Sequence, residues 1–102
     1  MSGAQIAADA AGVLQLSGVL DHVSAPALRE QGAGLIRGGK QSLCVVDCSA
    51  VVKSSSVGLS LLLAWMRDAQ AAGKQLEVRG LPQDMREIAS VSGLLEILPL
   101  AG

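Results

Sequence analysis

The sequence predicts an α/β domain in which a mixed, mostly parallel β-sheet carries three α-helices, in the order β-β-α-β-α-β-α. Short segments with two-residue apolar alternation, or with a continuous β-type run, are separated by longer segments whose apolar residues recur every three or four positions. Glycine and proline punctuate the boundaries, at Gly12, Gly38-Gly39, Gly73, Gly80-Leu81-Pro82 and Gly93. Strands joined through helices run parallel, because each crossover returns the chain to the same end of the sheet. At 102 residues the chain suits one core, and one domain over residues 1–102 is expected.

Gln5 to Ala8 is the first strand candidate, and Asp9-Ala10-Ala11-Gly12 has turn composition. Val13 to Leu20 alternates, with Leu14, Leu16 and Leu20 inward, and reads as the hairpin partner. Ser24 is the expected N-cap of the first helix, and Pro26 falls in its first turn, where a missing N–H costs little. Leu28, Gly32, Leu35 and Ile36 follow at helical spacing, and Gly38-Gly39 stops the helix. Leu43 to Val46 is a continuous apolar run, expected as a central strand buried on both faces. The longest helix is expected over Val57 to Ala72. Gln75 to Arg79 alternates with Leu76 and Val78 inward, and a last helix carries Met85, Ile88 and Ala89 up to Gly93. Leu94 to Leu100 reads as a tail folded on the core, with room for a short edge strand.

Composition narrows the chemistry. The net charge is −1, which provides no basic field for nucleic acid or an anionic membrane surface. The longest apolar run, Leu61 to Met66, is far short of the roughly 20 residues a membrane-spanning helix needs. The first residues lack the basic-then-apolar pattern of a secretory leader, so a cytoplasmic location is expected. Cys44 and Cys48 are four residues apart on an extended segment, about 13 Å, beyond the ~7 Å that a disulfide spans. With one His besides, neither a metal site nor any cofactor is expected.

The stretch that organises the chain is Leu43 to Trp65: an apolar run, an aspartate, a serine-rich turn at Ser54-Ser55-Ser56, then the long helix. Unpaired N–H groups at a helix start favour anions, so the serines stand where a carboxylate or phosphate is stabilised, or cap the helix themselves. At about 100° per residue, Leu59, Leu62, Leu63, Met66 and Ala69 form one face of that helix. Val57, Leu61, Trp65 and Ala72 lie on the other, with Asp68. An apolar outer face containing a tryptophan is the mark of a partner surface. The alternative is that Trp65 lies against the neighbouring helix or the C-terminal tail. Asp21 and Asp47 are the acids that could approach the turn, yet no base completes a catalytic set, and His22 is expected as a solvent-facing loop residue.

Two segments resemble a known family. Leu16-Ser17-Gly18-Val19-Leu20-Asp21 resembles the L-x-G-x-L-D signature of STAS domains, the fold of anti-sigma-factor antagonists. Asp47-Cys48-Ser49-Ala50-Val51, followed by Ser55-Ser56-Val57-Gly58-Leu59, resembles the family's second signature, with Ser55 in place of an aspartate. The resemblance implies that Ser56 falls on the position phosphorylated in anti-sigma-factor antagonists and that Asp21 is an acidic residue near it. The ending Gly93 to Leu100 is similar to that of the small STAS subunits of phospholipid ABC transporters in Gram-negative bacteria.

That second likeness implies a non-enzymatic subunit on the cytoplasmic side of the inner membrane. It would bind the transporter's ATPase subunit, in a complex with permease and substrate-binding subunits that maintains outer-membrane lipid asymmetry. The expected contact residues are Ser55, Ser56, Val57, Leu61 and Trp65. The alternative is an anti-sigma-factor antagonist switched by phosphorylation of Ser56.

Overall fold

The computed structural model describes residues 3–101. Its elements are β1 (Gln5–Ala8), β2 (Leu14–Leu20), α1 (Ala25–Gly38), β3 (Leu43–Ser54), α2 (Ser56–Ala71), β4 (Gln75–Arg79) and α3 (Gln83–Val91). The sheet order is β1-β2-β3-β4, with β1 antiparallel to β2 and the other pairs parallel. Because both crossovers step in the same direction across the sheet, the right-handed rule puts α1 and α2 on one face.

Asp9 closes the β1–β2 hairpin. Its Oδ1 accepts from the N–H groups of Ala11 and Val13, both at 2.9 Å, and its Oδ2 from the amide of Gln15 at 3.1 Å. At the far edge the tail extends the sheet: Val78 N–H donates to Pro99 O and Ala101 N–H to Val78 O, both at 2.9 Å, so Leu100 bridges β4 in parallel. The helix-facing residues of the strands, among them Leu16, Val46, Cys48 and Val78, meet Leu59, Leu62 and Met85 in one core. Both α2 and α3 end in glycine-dependent caps, at Gly73 (φ 72°) and Gly93 (φ 71°). In each, the N–H after the glycine reaches back to close the last turn, from Lys74 to Ala69 O and from Leu94 to Ala89 O, both at 2.8 Å.

Three expectations are corrected. β3 does not end near Val46 but runs to Ser54. Two register shifts against β2, between Gln15 and Ser17 and between Gly18 and Val19, each insert one extra β3 residue. The buried positions therefore change from a continuous run to Cys48, Val51 and Ser54, three residues apart, a spacing that no longer reads as a strand.

Ser24 does not cap α1 by accepting from its N–H groups. Asp21 does the local work instead, its Oδ1 accepting from Val23 N–H at 3.0 Å and Ser24 N–H at 2.9 Å. Ser24 Oγ accepts from Asp21 N–H at 3.1 Å and donates to Val19 O at 3.2 Å, tying the turn to the end of β2.

The third correction concerns α2. Trp65 and Leu61 do not form an exposed outer face: Trp65 is 0% exposed and Leu61 4%. α1 packs over them, and Gly32 makes this possible by presenting bare backbone to the indole ring. Of that expected face only Ala72 is exposed and Val57 half-buried.

Candidate functional site

Adjacent parallel strands β2 and β3 finish level with each other, Leu20 opposite Ser54. Ser55 N–H then donates to Leu20 O at 3.1 Å, which fixes the start of α2 beside the Asp21 turn. The sheet thus brings Asp21, Ser54, Ser55 and Ser56 to one edge, as two segments far apart in sequence but joined in register.

The three serines divide the work. Ser54 is buried and donates to Ser55 O at 2.7 Å. Ser55 is the N-cap, extended at φ −84°, and its Oγ accepts from Val57 N–H at 3.3 Å. Ser56 is the first residue of α2 and is exposed. The capping role that the sequence left among the serines therefore falls to Ser55, and the outward hydroxyl to Ser56. Gly58 lets the helix start lie this close to the strand end: a Cβ there would come within 2.1 Å of Ser54 Oγ and 2.9 Å of Met85 Cε.

The two aspartates expected to approach the turn are each held by local donors. Ser24 N–H, the strongest influence, holds the Asp21 carboxyl below its usual value of 3.8, with Val23 N–H acting the same way. Asp47 is not near the turn: it pairs across the sheet with Gln15 and Arg79, seven residues back along β3, roughly 20 Å at strand rise. There its Oδ1 accepts from Ser49 Oγ at 2.6 Å and Ser49 N–H at 2.9 Å, which lowers its pKa. His22 is exposed, as expected for a loop residue. Cys48 is fully buried, and that burial pushes its thiol up to about 12, away from the thiolate form. Among the described residues no three His, Cys, Asp or Glu side chains form a metal-holding group.

Beginning at Val57, the residue after Ser56, an open groove of about 420 Å³ runs between α1 and α2. Ala25, Pro26, Val57, Leu61 and Ala64 supply its apolar surface. Ser60, Arg29 and Arg67 supply the polar positions. Val57 is half-buried on the groove and the buried Leu61 forms part of its floor, whereas Trp65 lies behind it. Trp65 Nε1 donates to Arg29 O at 3.2 Å, and the Arg29 guanidinium forms a two-point ion pair with Asp68, its second contact at 3.2 Å. These contacts hold the groove's walls at a fixed separation. Sequence reasoning missed the α1 side. The signal was the small residues Ala25 and Pro26 opening α1, which leave space beside Val57 once the two helices are known to pack.

An α/β sheet of this order, with a serine-capped helix start at the edge where two parallel strands end, defines the STAS class of anti-sigma-factor-antagonist-like folds. The family model described as "Mlab, STAS domain" matches residues 4–99, and the chain belongs to that family. No curated protein matches it. Among solved structures, an anti-sigma factor antagonist from Mycobacterium paratuberculosis is similar at 28% identity and TM-score 0.74, covering 98% of this chain and 85% of that one. The anti-sigma factor antagonist SpoIIAA in its unphosphorylated form shares the fold at 23% identity and TM-score 0.68, over 88% of this chain and 78% of its own. A STAS domain protein from Planctomyces limnophilus does so at 16% identity and TM-score 0.73, over 97% and 90%. Among the described residues no helix is long and apolar enough to cross a membrane.

Proposed function

We propose that this chain is a non-catalytic subunit of a phospholipid ABC transporter that maintains outer-membrane lipid asymmetry. In this reading it binds and supports the ATPase subunit on the cytoplasmic side of the inner membrane, alongside permease and substrate-binding subunits. The observation that carries the reading is that Ser56, exposed at the capped start of α2, is followed by Val57 and, one turn on, by Ser60, both of which line an apolar groove. Ser55, Ser56, Val57 and Leu61 are the contact residues. Trp65 supports them from beneath. Membership of the Mlab, STAS domain family supports the choice of partner. The test is affinity purification of the tagged chain from its native cell: recovery of an ABC ATPase and its permease agrees with the reading, and their absence contradicts it.

A second reading is favoured by the similarity to anti-sigma factor antagonists. Phosphate on Ser56 would sit at a helix start that stabilises negative charge, so it would change partner affinity without unfolding the domain. Ser55 stands where the family pattern has an aspartate, which removes one acidic neighbour from the modified position. A neighbouring kinase that phosphorylates Ser56, with release of an anti-sigma factor, would establish this reading in place of the first.

A further inference from the structure

The groove between α1 and α2 has a charge pattern of its own. Its lining includes two cations, Arg29 and Arg67, and no carboxylate. Arg29 is neutralised by Asp68 just behind it. Arg67 is exposed and makes no ion pair among the described residues. The apolar surface therefore ends at an uncompensated guanidinium with donors to spare.

The shape of the groove also selects its occupant. Both walls are α-helices, whose backbone groups are already paired, so an extended peptide would bury N–H and C=O groups with nothing to bond. A helix satisfies its own backbone and offers only side chains. On α2 the lining runs from Val57 to Arg67, ten residues, or about 15 Å along the axis, which is about three turns of a docked helix. The small side chains of Ala25 and Ala64 allow that helix a close approach.

We infer that the occupant of this groove is an amphipathic helix of the partner protein that lays its apolar stripe along Val57, Ala25 and Pro26, over a floor formed by the buried Leu61 and Ala64, and brings a carboxylate side chain to Arg67. The inference rests on the ATPase-binding reading above and adds the chemistry of the segment that docks. A carboxylate meeting Arg67 fixes the direction of the helix in the groove, and so the register in which Ser56 meets the partner.

The experiment is a titration of the ABC ATPase subunit of the same organism's phospholipid transporter into wild type, Arg67→Glu, Arg67→Gln and Ser60→Trp, at low and high salt. Positions 60 and 67 are exposed, and unchanged circular dichroism confirms that each variant is folded. The expected result is tight, salt-sensitive binding by wild type and a loss of about tenfold or more for Arg67→Glu. Arg67→Gln should lose much of the salt sensitivity, and Ser60→Trp should fail to bind because it fills the groove. Equal binding by wild type and Arg67→Glu, with Ser60→Trp failing, means that the groove is used without an acidic contact and overturns the inference alone. Equal binding by all four places the contact elsewhere and also overturns it while leaving the ATPase as partner. No binding by wild type overturns both the inference and the reading it rests on.

Discussion

Gly32 of α1 lies directly against the indole of Trp65 on α2: a Cβ built on Gly32 would stand 2.3 Å from both Cε2 and Nε1 of the ring. The glycine is the socket, and the tryptophan, fully buried, is the plug that sets the spacing of the two helices. Gly34, two residues on, has nothing within 4 Å of its Cβ position and is exposed. One helix thus carries two glycines with opposite requirements.

The pair makes a controlled prediction. In an exposed helix position Gly→Ala stabilises by up to about 1 kcal/mol, because the unfolded chain loses freedom. Gly34→Ala should show that gain. Gly32→Ala should instead lose ~1–3 kcal/mol, since overpacking against a ring outweighs the helix term. Urea denaturation followed by Trp65 fluorescence reads both. For the same reason Trp65→Ala is a core deletion costing ~3–5 kcal/mol, and it reports on folding rather than on a partner contact.

Lys74 joins elements that are not neighbours in sequence. Its Nζ donates to Ile36 O at 2.6 Å and to Gly39 O, satisfying carbonyls at the end of α1 from the turn after α2. A cation at a helix C-terminus also opposes the negative end of the dipole. Lys74→Met keeps the apolar stem and removes the charge-assisted bonds, for an expected loss of ~1–3 kcal/mol. Lys40→Met, at an exposed position, should stay within about 0.5 kcal/mol of wild type. Faster amide exchange at residues 36–39 in the first variant alone would locate the effect.

Acid should weaken the fold through three aspartates. The side-chain amide of Gln15 lowers the pKa of Asp9, Ser24 N–H that of Asp21, and the Ser49 hydroxyl that of Asp47, each below the usual 3.8. A carboxyl whose pKa is lower folded than unfolded stabilises the native state above the unfolded value. That contribution disappears as pH falls through the folded value. Stability should therefore stay level from about pH 7 to 5 and decline below about pH 4. Asp47→Asn should be less stable than wild type at neutral pH and approach it in acid. Urea midpoints across this range provide the check.

Much of the fold could be read from the sequence because local signals agreed with tertiary placement. Leu14, Leu16 and Leu20 pointed inward as their alternation requires, and Gly73 and Gly93 ended helices as glycines in the left-handed region do. β3 was misjudged beyond Val46 because its two bulges change the burial period from two to three, and that depends on how β2 pairs with it. Trp65 was legible as lying off the core stripe of α2, but its cover depends on Gly32, thirty-three residues away. The serine turn was found, since its cap and its outward hydroxyl are local. The groove beside it was not, because one wall belongs to α1.

In the proposed function, Ser56 and the neighbouring groove between α1 and α2 form the contact with a transporter ATPase. A glutamate at position 56, in the first turn of α2, favours the helix dipole, so Ser56→Glu should leave the fold intact. Isothermal titration of the ATPase subunit into wild type and Ser56→Glu is the direct measurement. The account predicts binding by wild type and a loss of about tenfold or more for the variant, with unchanged urea midpoints. Equal affinity of the two proteins, or no binding by either, would contradict it.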